Sequence, residues 1–112
     1  MRQKLFKMSV LVLAEHNNQS LLSSTLNVIE AASKISDDIH LLICGNNTED
    51  LSKEAKNILI LKKVITCDNQ ELANVVAEKI SPIILSVAKN YTHILAPATT
   101  FGKTYFQELL RY

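Results

Sequence analysis

"MSVLVLA", Met8 to Ala14, is the stretch that decides how this chain folds. After Ser9 its residues are apolar without interruption. A strand with one wet face alternates apolar and polar positions, whereas a continuous Val/Leu run suits a strand covered on both faces, as in a parallel sheet. Three further short runs have the same character: "IHLLIC" (39–44), "KVITC" (63–67) and "THILA" (92–96).

The segments between these runs have helical spacing. Leu22, Leu26, Ile29 and Ala32 form a stripe on the first, and Leu51, Ala55 and Ile58 a shorter one on the second. The third, "ELANVVAEKISPIILSVAKN" (71–90), contains Pro82. Proline inside a helix removes a backbone hydrogen bond and clashes one turn back. The sequence therefore predicts a short helix over 71–78 and a second over 82–89, with Ser81 as cap and Pro82 at the first helical position. A last helical segment starts near Thr100 and runs to Tyr112. Strand and helix in alternation predict an α/β fold: a doubly wound, mostly parallel sheet with right-handed crossovers, Rossmann-like and three-layered. Its layer is expected to be incomplete at the C-terminal end, where the fourth strand is followed by a single helix.

A chain of 112 residues supports one domain with a real core. Apolar residues at 47% and charged residues at 21% are ordinary for a globular protein. The net charge of +1 gives no nucleic-acid footprint. Positions 1–7, "MRQKLFK", read as a basic, disordered leader, with the domain over 8–112 and Met8 as an alternative start. The apolar stretch after the leader is too brief for a signal-peptide core, and no window approaches a membrane span. Cys44 and Cys67 are the only cysteines and form no C-x-x-C pair, so buried free thiols in a reducing compartment are expected.

In an open parallel sheet, ligands bind beyond the carboxyl ends of the strands, where strand order reverses. Those ends are "EHNN" (15–18), "GNN" (45–47), "DNQ" (68–70) and "PATTFGK" (97–103). The strand-end candidates for ligand contact are Glu15, His16, Thr99, Thr100, Gly102 and Lys103. The last stretch looks like half of a phosphate-binding loop. A P-loop, however, needs a glycine five residues ahead of its Gly-Lys pair, and that position is Pro97, which has no N–H to donate. The stretch reads as a strand-to-helix turn capped by Thr99 or Thr100. His16 follows its strand, whereas His40 and His93 precede or open theirs, which separates them onto opposite sheet edges and excludes a three-histidine metal site. His93 reads as a packed strand-end residue. Asp37 and Asp38 make a poor acid/base pair, and neither cysteine has a neighbouring base. No catalytic residue is identified.

Several of these stretches together carry a resemblance. "SVLVLAEHNNQSL", "TLNVIEAASKI", "HLLICG" and "YTHILAPATTFGK" closely resemble the amino-terminal domain of the electron transfer flavoprotein alpha subunit. The resemblance runs from Ser9 to Lys103, with the middle matching more in layout than in letters. It implies a heterodimer with a beta subunit, FAD as cofactor, and electron transport from flavin dehydrogenases to a membrane quinone oxidoreductase. It also implies that a separate carboxyl-terminal domain holds the FAD, so this segment is expected to act as scaffold and beta-subunit docking surface, to bind no FAD alone, and to be no enzyme by itself. After Lys103 the chain departs from the family, with Gln107 and Glu108 where a proline and an arginine fall, which reads as a truncated chain. Two alternatives stay open: a stand-alone adenine-nucleotide-binding module, and a non-functional remnant of a degraded gene. The Asn-, Lys- and Ile-rich usage suits an A/T-rich bacterial genome, and the expected location is the bacterial cytoplasm, with the mitochondrial matrix second. No nucleic-acid partner, membrane insertion or metal is expected.

Overall fold

The computed structural model describes residues 8–17, 19–69 and 77–97, with side chains described for all of these but 77–80. Elements follow in the order β1 (Val10–Leu13), α1 (Ser23–Ser33), β2 (Ile39–Gly45), α2 (Glu49–Lys56), β3 (Leu61–Asp68), α3 (Ala77–Ala88) and β4 (His93–Leu95). The sheet has four strands in the order β3-β2-β1-β4, and every pairing is parallel. The expected α/β fold is the one observed.

The continuous run that decided the fold occupies the centre of the sheet. All of β1 is buried. Its side chains alternate between two separate cores. Val10 and Val12 join Ile39, Leu41 and Ile43 beneath α1 and α2, which contribute Ile29, Ala32, Leu51 and Ala55. Leu11 and Leu13 join Leu42, Cys44 and Ile84 of α3 on the other face. The right-handed rule explains this division. The chain steps from β1 to β2 to β3 in one direction, placing α1 and α2 on one face; it then returns past β1 to β4, which sends α3 to the opposite face. Three layers result, and the reversal lies between β1 and its neighbours β2 and β4.

Two helix expectations need correction. In α1 the buried residues are Thr25, Ile29 and Ala32, while Leu26 is 42% exposed. The expected leucine stripe is turned by one position because Thr25 bonds the backbone of Glu15 and so takes the inward place. In α3 there is no break at Pro82: the proline lies inside a continuous helix, and Ser81 is a buried helical residue rather than a cap. The ring forfeits one helical N–H bond. Burial of Ile84 against β1 and β2, with Ile83 and Val87 packed beside it, holds the helix together regardless. The leader 1–7, positions 71–76 of the helix expected over 71–78, and everything from position 98 onward lie outside the described residues.

Candidate functional site

The carboxyl edge of the sheet is where this fold places ligands, so its geometry decides what the chain can hold. The loop after β1 is anchored by a reciprocal pair. The Glu15 N–H donates to Thr25 Oγ1 at 2.7 Å, and the Thr25 hydroxyl donates to the Glu15 carbonyl at 2.9 Å. The Glu15 carboxylate accepts a 2.7 Å bond from the Ser24 hydroxyl, which sets an anion beside the first turn of α1. That turn has no acidic residue of its own, so Glu15 supplies the negative charge that the positive end of the helix dipole favours.

His16 turns toward β2. Its Nε2 donates to the Cys44 carbonyl at 2.8 Å, and the ring lies over Gly45. A Cβ at Gly45 would stand 3.1 Å from His16 Cε1, so any larger residue would push the ring aside, and glycine lets it approach closely. The same loop is tied to α2, because the Leu21 N–H donates to Glu54 Oε1 at 2.9 Å.

The end of β3 closes the next loop in the same way. Asp68 accepts from the backbone N–H of Asn47 at 2.7 Å and of Thr48 at 2.9 Å, with the Thr48 hydroxyl at 3.2 Å. Those amide bonds, Thr48 first, hold the carboxyl below its ordinary range. Thr48 is the N-cap of α2 and makes no side-chain cap itself, and the carboxylate held beside the start of this helix comes from a neighbouring strand. Asn47 beside it sits at φ 62°, a conformation that asparagine tolerates.

A phosphate arriving at α1 or α2 would therefore meet a carboxylate already in place. Of the strand-end candidates, Glu15 is bonded to the start of α1 and His16 to the end of β2. Thr99, Thr100, Gly102 and Lys103 lie outside the described residues.

Cys44 and Cys67 are register partners on β2 and β3, and both are free thiols. Burial first, and then Cys67 beside it, push the Cys44 thiol up to about 12. A thiol held so far above neutrality is not a nucleophile at physiological pH.

One cluster escaped sequence reasoning, and it lies on the opposite edge. His40 joins Asp38 through Nε2 at 3.1 Å and Tyr91 through Nδ1 to the hydroxyl at 2.7 Å, the two rings meeting edge-on at 5.2 Å. Burial, then the Asp38 charge, raises the Tyr91 hydroxyl above its ordinary value. It is thus a poor phenolate and a good donor. A cavity of about 360 Å³ adjoins this cluster. His40 and Tyr91 are 51 positions apart, and no short-range pattern could have joined them. His93 does open β4 on this edge, as expected, but it is exposed rather than packed. Among the described residues no group of three or more His, Cys, Asp or Glu is placed to hold a metal ion, and no helix is long and apolar enough to cross a membrane.

Comparison with known proteins agrees with this architecture. The model of the electron transfer flavoprotein domain family matches residues 10–109. The electron transfer flavoprotein subunit alpha of Pseudomonas aeruginosa is 43% identical over 98 residues, which cover 88% of this chain and 32% of that protein. The subunit alpha of Paracoccus denitrificans is 32% identical, over 86% of this chain and 31% of its own. The probable mitochondrial alpha subunit of Caenorhabditis elegans is 34% identical, over 85% and 29%. The chain thus spans about a third of the length of these relatives. A match over this extent, to the family and to its alpha subunits, places the chain in the electron transfer flavoprotein family.

Proposed function

We propose that this chain supplies the scaffold and subunit-docking portion of an electron transfer flavoprotein alpha subunit. In this reading it takes part in a heterodimeric, FAD-containing carrier that passes electrons from flavin dehydrogenases to a quinone oxidoreductase, in a bacterial cytoplasm. The flavin is held by another domain, and the chain is an electron-carrier part without catalytic residues of its own. The family match and the alpha-subunit relatives support the electron-transfer role.

One observation carries the scaffold role: the carboxylates of Glu15 and Asp68 stand at the amino ends of α1 and α2, bonded to this chain's own donors. That arrangement disfavours the pyrophosphate of FAD at the starts of α1 and α2. Among the described residues, the amino ends of α1 and α2 each carry a carboxylate, and the space above Gly45 is filled by His16. The same features disfavour the stand-alone adenine-nucleotide reading, which needs phosphate to approach the backbone.

Co-expression with an electron transfer flavoprotein beta subunit tests the proposal. The expected result is a complex that co-elutes, while the chain purified alone is colourless and silent in calorimetry with AMP and ATP. Failure to co-elute at micromolar concentration refutes subunit docking. Yellow, flavin-loaded protein with no second polypeptide refutes the scaffold reading.

A further inference from the structure

The turn between α2 and β3 is built from residues that turns avoid. The Leu61 N–H donates to the Ile58 carbonyl at 3.1 Å, closing a four-residue turn with Leu59 and Ile60 at its centre. Central turn positions favour Gly, Pro, Asn, Asp and Ser, each for a local backbone reason. Leu59 offers none of these, and it is 92% exposed, the most exposed large apolar residue described. Ile60 beside it is 45% exposed. Neither contributes much to the core, so folding alone gives no account of them.

Next to this tip lies a cleft of about 180 Å³ with an apolar floor that includes Ile58, Leu61 and Val64. Its rim carries Lys56, Lys62 and Lys63, and none of its lining residues is acidic. Glu54, the nearest acid along α2, is turned to the Leu21 amide. Three positive charges thus gather at one corner of a chain whose net charge is only +1. The volume is below the roughly 300–1,000 Å³ of small-molecule sites and suits one anchoring side chain.

We propose that this corner is a docking site for an acidic segment of a protein partner, with one aliphatic side chain seated in the cleft and its flanking carboxylates on the lysines. Charge complementarity selects the partner, and the exposed Leu59–Ile60 tip adds apolar contact beside the anchor. Strand addition is not the mode. The pairing of β3 with β2 skips Lys62, a bulge that carries a lysine on the outer strand and blunts it against pairing. A bilayer is a poorer fit than a peptide, because a flat lipid surface leaves a concave cleft unfilled. The inference is independent of the electron-transfer reading.

The test uses the whole chain and a short fluorescein-labelled peptide with one central leucine flanked by glutamates, read by fluorescence anisotropy. Saturable binding is expected, weakened about tenfold or more by Lys62→Glu combined with Lys63→Glu, and about fivefold by Leu59→Ser. Replacing the peptide leucine by serine should weaken it similarly, while Lys34→Glu, just past the end of α1, leaves it unchanged. Thermal unfolding of Leu59→Ser should match that of the parent chain, because the side chain is exposed. The proposal is overturned by absence of saturable binding, by equal binding of the serine peptide, or by an equal loss in Lys34→Glu. It is also overturned if vesicles of anionic phospholipid bind in a Leu59-dependent way while the peptide does not.

Discussion

The two edges of this sheet are closed by the same device and differ in what the device encloses. At the carboxyl edge, the Thr25 hydroxyl and the Glu15 backbone exchange hydrogen bonds. At the amino edge, Thr92 does the same with Ser9: the Ser9 N–H donates to Thr92 Oγ1 at 2.9 Å, and that hydroxyl donates to the Ser9 carbonyl at 2.9 Å. Thr25 is fully buried, whereas the Ser9–Thr92 bonds are exposed to water. The carboxyl edge adds two carboxylates on helix amino ends and a histidine over a glycine; the amino edge adds the Asp38–His40–Tyr91 chain beside an open cavity. Among the described residues, the edge where this fold places ligands is thus the more completely committed to its own structure. That contrast supports the scaffold role proposed for the chain.

Substitution of the two threonines should break the symmetry most strongly. Thr25→Val keeps the shape and leaves the Glu15 N–H without its partner inside the protein. A buried orphan donor costs about 1–3 kcal/mol, so urea unfolding should show that loss with an unchanged slope. Thr92→Val at the exposed edge should cost much less, because water replaces the lost partner. Equal losses at both positions mean that the two edges are equally shielded from water.

Gly45→Ala should have the next largest effect. The new methyl would stand 3.1 and 3.2 Å from two atoms of the His16 ring and 3.3 Å from Thr48 Cγ2, so the ring must give and its bond to Cys44 weakens. A cost of about 1 kcal/mol is expected from overpacking. The same substitution in a His16→Ala background should cost less, since the obstructing ring is gone, and a double-mutant cycle reads that coupling. Additive effects indicate that the close approach carries no energy.

On the amino edge, Tyr91→Phe removes the hydroxyl from His40 and should cost about 0.5–1 kcal/mol at neutral pH. The pH dependence identifies the cause. Burial and the Asp38 charge raise the Tyr91 hydroxyl in the folded state. Its contribution is complete below the ordinary tyrosine range and is lost as pH rises through the folded value. Chemical unfolding from neutral to strongly alkaline pH should therefore show a steeper alkaline decline in the parent chain than in Tyr91→Phe.

Much of this arrangement is legible in the sequence, and the illegible parts share a cause. The uninterrupted Val10–Leu13 run announces a strand buried on both faces because burial there is a property of consecutive residues. The polar strand ends point to the carboxyl edge for the same local reason. Leu26 misleads because the stripe is decided by Thr25, whose value lies in a bond to Glu15, ten positions away. Pro82 misleads because its local cost is outweighed by the packing of Ile84 on strands far off in sequence. Asp38, His40 and Tyr91 are invisible as a group until β2 and the α3–β4 loop meet. Local patterns report what neighbours decide; these three cases are decided at a distance.

The smallest expected effect is also the one that isolates charge from hydrogen bonding. Asp68→Asn keeps an acceptor near the Asn47 and Thr48 amides and removes the negative charge at the start of α2. The carboxyl is held below its ordinary value of 3.8 by those amides, so its contribution is present above that value and lost as pH falls through the folded one. Thermal unfolding of the parent chain should show this loss between neutral and acid pH, and Asp68→Asn should show less of it, with a slightly lower midpoint at neutral pH. Because the side chain is exposed, added salt should shrink the neutral-pH difference further. An asparagine variant with an unchanged midpoint and an unchanged acid limb means that the α2 terminus does not depend on this carboxylate, and a phosphate could then compete for the same amides.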